Sequence, residues 1–403
     1  MANISNLPNE ALELIFQAIL SQNTRYDLVT HEKKFARPMR EFRSVCRRWS
    51  NLITDRHLYQ TLIFRRGTRA MQFINLQKES LRLPFSDVRP KCQVLAIDRL
   101  WTCGAPLVRD YDMLTPLHLV ELVELFKDTI VELELEFTAS LWLPTSTIQA
   151  IGRIKNLHTL RLSYDQERAY ISSSDEEEIG RHHDPDFFCS LLSAAQGLKC
   201  LDIGMFYARN IPQILASDLG RFQLPNITHL AGGEHSPAKL VFSLAAALKP
   251  TLTMLSIFQP ICQDDRRSIP RTFKILEAQL QGLHIEDPDV LDLTSHFKLS
   301  SLRLLRIDSY IEGWEDHSEM DMFLDAPIEI LVLGSRIQTH LEDPEQTLLL
   351  DLLDKFRSLR RLVFCEMDSN FSLPEDSMRA CRDHQVRCLY RDCSSLSELM
   401  VSR

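Results

Sequence analysis

Two short stretches of the chain gather the residue types that do chemistry. CRDHQVRCLYRDC places Cys381, His384, Cys388 and Cys393 within thirteen residues. Thiol and imidazole donors that close together suit a structural zinc site. The spacing matches none of the common ligand pairs, and Cys388 sits in an apolar, strand-like run. Ordinary reduced cysteines are therefore expected, with no metal and no cofactor. SSSDEEEIGRHHDPD, residues 172–186, brings His182, His183, Asp184 and Asp186 together after a run of acids. Its flanks are those of a solvated loop, and its serines precede acids at a spacing that suits an acid-directed kinase. The chain has no G-x-S-x-G, no GxxxxGK[ST], no GxGxxG after a strand and no H-E-x-x-H. No catalytic residues are expected, and the protein is not read as an enzyme.

Composition narrows the classes further. The 403 residues carry a formal charge of −9, with 44% apolar and 25% charged residues. That is a soluble, mildly acidic globular composition. It gives no support to nucleic-acid binding, which needs a basic footprint. Only 12 residues are glycine, so Gly-rich phosphate loops have little raw material. Several of the ten cysteines lie inside apolar runs (SVCRRW, LKCLDI, LVFCEM), as reduced core cysteines do. No signal-peptide pattern opens MANISNLPNE, and no apolar run reaches the ~20 residues of a membrane span. A cytoplasmic or nuclear location without a membrane partner is expected.

The elements that would position any site come next. In LPNEALELIFQAIL, residues 7–20, Leu12, Ile15, Phe16, Ile19 and Leu20 fall on one helical face. Pro8 suits a helix's first position and Glu10 suits the positive end of its dipole. A second helix is predicted over 38–53, with Phe42, Val45, Cys46, Trp49 and Leu52 or Ile53 on one face and Arg40, Arg43, Arg47 and Arg48 elsewhere. The basic run from Lys33 to Arg48 reads as the wet face of that helix. TDRHLYQTLIF then leads into a strand at 62–64. Two or three short helices make a marginal core, so their apolar faces need a further partner, either the rest of the chain or another protein.

These residues resemble an F-box. The family's LPxE opening with its two following apolar positions maps onto Leu7, Pro8, Glu10, Ile15 and Ile19. The VCRxW segment maps onto Val45, Cys46, Arg47 and Trp49, and the closing segment onto Leu58 and Tyr59. Ala11 stands where a larger aliphatic is common, and the inserted RYDLVTHEKKFAR lengthens the connection. The resemblance implies docking to the Skp-type adaptor of SCF ubiquitin ligases. The adaptor-facing residues it implies are Leu7, Pro8, Glu10, Leu12, Ile15, Phe16, Ile19, Val45, Cys46 and Trp49, with Trp49 expected to weigh most.

From Lys91 onward one pattern returns: apolar, two others, apolar, one other, apolar. It occurs as CQVLAI, IVELEL, LHTLRL, LKCLDI, LTMLSI, LQGLHI, LRLLRI, IEILVL and LRRLVF, with weaker copies ITHLAG and VRCLYR. Successive copies start 22 to 41 residues apart, many preceded by helical runs such as PLHLVELVELFKD. A helix and a short strand at a near-constant period predict a stacked solenoid. The array resembles degenerate leucine-rich repeats. The family's Asn or Cys after the last leucine is replaced by Asp165, Phe206, Pro260, Pro288, Tyr310, Arg336 and Met367.

The expected fold is thus α/β: a helical F-box-like module over 1–64 with an insertion at about 22–37, a linker or first cap over 65–90, a leucine-rich-repeat-like solenoid of short parallel strands over 91–393, and a tail over 394–403. A compact α/β domain with parallel strands is the alternative. Arg161, Asp202, His284, Glu286, Arg306 and Asp308 would project from the strands as a mixed polar surface suited to a protein substrate. The function expected is a substrate-recognition subunit of an SCF ubiquitin ligase, linked to a cullin through the adaptor. The alternatives are a repeat scaffold acting without a cullin and, further off, a hydrolase or metal protein built on the C-terminal cysteines.

Overall fold

Wherever the Leu-x-x-Leu-x-Leu pattern occurs, the chain forms a short strand. The computed structural model describes residues 7–21, 45–56, 59–82, 91–102, 112–138, 140–164, 185–205, 219–233, 238–258, 267–287, 289–308, 322–323, 325–342, 348–368, 370–391 and 396–401. The strands are β1 (Thr61–Phe64), β2 (Val94–Leu100), β3 (Glu132–Phe137), β4 (Thr159–Tyr164), β5 (Cys200–Ile203) and β6 (His229–Gly232). They continue as β7 (Met254–Ile257), β8 (Gly282–Ile285), β9 (Leu304–Ile307), β10 (Ile330–Leu333), β11 (Arg361–Cys365) and β12 (Arg387–Arg391). They form a 12-stranded sheet whose spatial order is the sequence order. Every neighbouring pair is parallel. A parallel sheet that never reverses its order is a solenoid, because each crossover advances the chain by one strand. The fold is therefore an α/β solenoid with leucine-rich-repeat-like units.

The crossovers carry helices. Those described are α1 (Asn9–Ser21), α2 (Arg47–Arg56), α3 (Gly67–Arg82), α4 (Pro116–Phe126), α5 (Thr145–Gly152), α6 (Pro185–Ala194) and α7 (Ala238–Ala247). Further along are α8 (Ser268–Leu276), α9 (Asp289–Thr294), α10 (Gln338–Glu342), α11 (Leu348–Lys355), α12 (Glu375–Asp383) and α13 (Leu396–Val401). From α3 to α12 they cover one face of the sheet. In α4, for example, Leu119, Leu122, Val123 and Phe126 recur at helical spacing and are all buried. They join one core with Leu133, Leu135 and Phe137 of β3, whose alternation is half-buried and buried in turn.

Register ties the units together. Leu62, Leu95, Leu133, Leu160, Leu201, Leu230, Leu255, Leu283, Leu305, Leu331, Leu362 and Cys388 pair in unbroken succession across the sheet. This row points into the helix-covered core. Side chains in the turns before the strands reach back to the preceding unit. Asn156 Nδ2 donates to the Asp128 carbonyl at 2.8 Å, Thr251 Oγ1 to Ile227 at 2.8 Å, Gln279 Nε2 to Leu252 at 2.7 Å and Ser301 Oγ to Ala278 at 2.8 Å. These bonds satisfy carbonyls at the opposite ends of the strands from the substituted Asn/Cys position.

Two boundaries differ from the sequence reading. β1 and α3 belong to the array, since β1 pairs with β2 and α3 packs on α4. Within the expected tail, α13 (Leu396–Val401) folds back onto β8 and β9. The insertion over 22–37, Phe42, Leu58 and most of the acidic loop 172–186 lie outside the described residues; Pro185 and Asp186 begin α6.

The tightest backbone approach is at Gly233, where an added Cβ would overlap the Gly204 carbonyl oxygen. Two neighbouring units touch there through main chain alone. Gly233→Ala is expected to destabilise the array by about 1–3 kcal/mol. Chemical denaturation followed by far-UV circular dichroism reads that loss; an unchanged midpoint would show that the two turns can part freely.

Candidate interaction surfaces

The N-terminal helices close on each other. Leu12 and Phe16 of α1 and Trp49, Leu52 and Ile53 of α2 form a buried cluster distinct from the array core, with Leu7 packed partly against it. The Phe16 and Trp49 rings meet edge to face with centroids 5.1 Å apart. Arg48 braces the opening turn: its Nη2 donates to the Leu7 carbonyl at 2.7 Å and to Asn9 Oδ1 at 2.6 Å. Sequence reasoning left Arg48 on the wet face of its helix. The visible signal was its position next to Trp49, which turns its guanidinium toward the start of α1.

This corrects the assignment of Leu12, Phe16 and Trp49 to an adaptor-facing surface. Trp49 is 5% exposed and the other two are fully buried, so in this conformation they hold α1 to α2. The two helices are too short to be stable unless their apolar stripes meet. Pro8, Glu10, Val45 and Cys46 are exposed, Leu7 and Ile15 are half-buried, and Ile19 lies on α1. Leu14, at 67% exposure, was missed because it falls off the main stripe. An apolar residue on the wrong side of an amphipathic helix was its signal.

The sheet face opposite the helices is lined by two paired rows. One runs through Glu132, Thr159, Cys200, His229, Met254, Gly282, Leu304, Ile330, Arg361 and Arg387. The other runs through Glu134, Arg161, Asp202, Ala231, Ser256, His284, Arg306, Val332, Val363 and Leu389. The face begins charged, passes through neutral polar groups, becomes apolar and ends basic.

At the charged end Arg161 Nε lies 2.6 Å from Glu132, and its Nη1 3.8 Å from Asp202. Arg65 pairs with Asp98 at 2.7 Å. The Glu134 carboxyl is pushed above the usual range. Burial is the main cause; Arg161 opposes it, while Glu132, Asp202 and Asp98 add to it. In the neutral middle, His229 Nε2 lies 2.9 Å from Ser256 Oγ and its Nδ1 3.4 Å from Cys200 Sγ. The Cys–His contact has a nucleophile's geometry and the opposite electrostatics. Burial pushes the Cys200 thiol up to about 12 and the His229 imidazole down to about 4, leaving both neutral near pH 7.

His284 and Arg306 were expected to be solvated, and this too is corrected: they are 5% and 7% exposed. Asp308 holds both. Its Oδ2 is 2.8 Å from His284 Nε2, and Arg306 Nε is 2.9 Å from its Oδ1. Burial alone would raise the Asp308 carboxyl, but His284 and Arg306 hold it well below the usual range. Glu286 is engaged by Arg336 at 2.9 Å. The structure therefore joins His284, Arg306 and Asp308 in one knot and Arg161 with Asp202 in another. At the C-terminal end, Cys381 and Cys388 share a hydrogen bond that, with burial, raises the Cys381 thiol. His384 pairs with Asp354 at 3.6 Å, and Cys393 lies outside the described residues.

The class defined so far is an α/β solenoid preceded by a two-helix module. No protein-family model matches the chain, and no curated protein matches it. Two solved structures are similar to it. One is the leucine-rich repeat-containing protein LegL7 from Legionella pneumophila, 13% identical with a TM-score of 0.42 over 79% of this chain and 87% of that one. The other is the Rad7 and Elc1 complex in yeast, 13% identical with a TM-score of 0.43 over 96% of this chain and 86% of the matched one.

Two outcomes are expected here. Trp49→Ala should cost about 3–5 kcal/mol, enough to open a module with so small a core. Limited proteolysis should then cleave the first sixty or so residues while the array stays intact; a protected N-terminus would mean that the cluster is not what holds it. Glu134→Gln tests the acidic end. A carboxyl raised in the folded state makes stability fall as pH rises from its unfolded value through its folded one. The amide should therefore raise Tm at pH 7, on the order of 1–3 °C, with the gain vanishing below about pH 4. A gain that persists in acid would point to packing instead.

Proposed function

We propose that the protein is a substrate-recognition subunit of an SCF-type ubiquitin ligase, docking a Skp-type adaptor through α1 and α2 and holding a target protein on the array. The observation that carries this reading is the separate N-terminal module. It spends Leu12, Phe16 and Trp49 on its own core and still leaves Pro8, Leu14, Val45 and Cys46 exposed beside the LPxE and VCRRW residues. A unit that has closed its core and still presents apolar side chains suits an interface.

The energetics are consistent. Each aliphatic side chain taken fully from water contributes roughly 1.5–3 kcal/mol, against an association cost of about 4–15 kcal/mol. Leu7, Pro8, Leu14, Ile15, Val45 and the stem of Glu10 together reach that range, with Trp49 acting from behind by fixing the angle between the helices. The chain performs no bond chemistry in this reading. It raises the local concentration of a bound target near a ubiquitin donor brought by the cullin. Cytoplasm or nucleus is the compartment where such a complex would act.

Co-purification with a Skp-type adaptor tests the proposal. Wild type should recover the adaptor, and Leu14→Asp with Val45→Asp should lose at least tenfold in affinity while the Trp49 emission of the folded module is retained. A wild-type protein that stays monodisperse and adaptor-free in excess adaptor would sink the reading. Adaptor recovered without a cullin would favour the scaffold function.

A further inference from the structure

Across β9 to β11 the open face is apolar where a solvated sheet face would be polar. Leu304, Ile330, Val332, Val363 and Cys365 are each at most 3% exposed, although the helices that build the main core lie on the other side of the sheet. Their cover is α13. Leu396 and Leu399, three residues apart and so on one side of a helix, are 2% and 1% exposed against this seam, with Met400 and Leu389 packed partly alongside. Gly282 lies in the row beside Leu304 and presents no side chain toward the helix that packs on β8 and β9.

Two features make this cover separable from the sheet it packs on. α13 spans 6 residues, too short to persist as a helix once undocked. It also adds no strand and no turn to the sheet, so lifting it leaves the leucine row and the helix-covered core intact. The seam ends at a basic border: Arg361, Arg387 and Arg391 follow on its rows.

We propose that this seam is a helix-binding groove which α13 occupies in cis, and that its exchangeable ligand is a partner protein presenting a short amphipathic helix with two leucines three residues apart. The chain's own helix competes with that partner at high effective concentration. A target must displace it, which selects for segments that fit better than α13 does. The proposal deepens the reading of the array as the target-holding part, but its test involves no adaptor, so the fate of the N-terminal docking claim is independent of it.

The probe is a fluorescein-labelled peptide of residues 394–403, SSLSELMVSR, titrated by anisotropy into the full-length protein. Wild type should bind it weakly, because the groove is filled. The full-length Leu396→Asp/Leu399→Asp variant should bind it at least tenfold more tightly, and a peptide carrying the same two aspartates should bind neither protein. A folded double variant that ignores the peptide, or equal affinity for wild type and variant, would overturn the groove. Hydrogen exchange on the wild type gives a second reading that needs no variant. Amides of α13 should exchange well before those of β9 and β10, and exchange of all three together would overturn displacement.

Discussion

The structure depends on the pairing of one leucine per unit with the leucine of the next. From Leu62 to Cys388 these residues occupy the same register in every strand, and the row points at the helices. A slip of one residue anywhere would turn a unit's core outward and its polar residues inward. Strand pairing is therefore specified by burial, while the start-to-start spacing of successive units remains free to vary from 22 to 41 residues. The irregular spacing that made the repeats look degenerate is the part of the unit that the constraint does not reach. The back-bonds from Asn156, Thr251, Gln279 and Ser301 reinforce the register by tying each turn to its predecessor.

The same rule makes the opposite face a record of local freedom. Positions between the core leucines are not held by the helices, so they carry charges near β3 and β4, a neutral His–Ser–Cys group near β6, and aliphatics near β10. Their neighbours decide their chemistry. Asp308 stays ionised in a buried place because His284 and Arg306 compensate for lost water, whereas Glu134, facing Glu132 and Asp202, is driven toward its neutral form.

Much of the fold was legible because period and alternation are local properties. The eleven copies of the repeat pattern each became a strand, including the weak ones at His229 and Arg387. What stayed hidden depends on contacts distant in sequence. His284 and Arg306 look like solvated strand residues until α13, roughly a hundred residues on, is seen against β8 and β9. Trp49 looked like an interface anchor because an amphipathic stripe does not say which surface will cover it. Phe16 does so, through an edge-to-face contact between α1 and α2. Val45 and Leu14 were the subtler residues, exposed because the module's two stripes were already used on each other.

The end of the sheet carries a consequence of its own. The edge of a parallel sheet is a template for further strands, and among the described residues β12 is the last strand. Its side chains are Arg387, Cys388, Leu389, Tyr390 and Arg391, with both arginines exposed. Two copies brought edge to edge would set these arginines against one another, and the row of leucines has already given way to a thiol. Pairing of two copies through this edge is therefore opposed by like charge, so the strand that most resembles a template is also the one least suited to recruit another molecule.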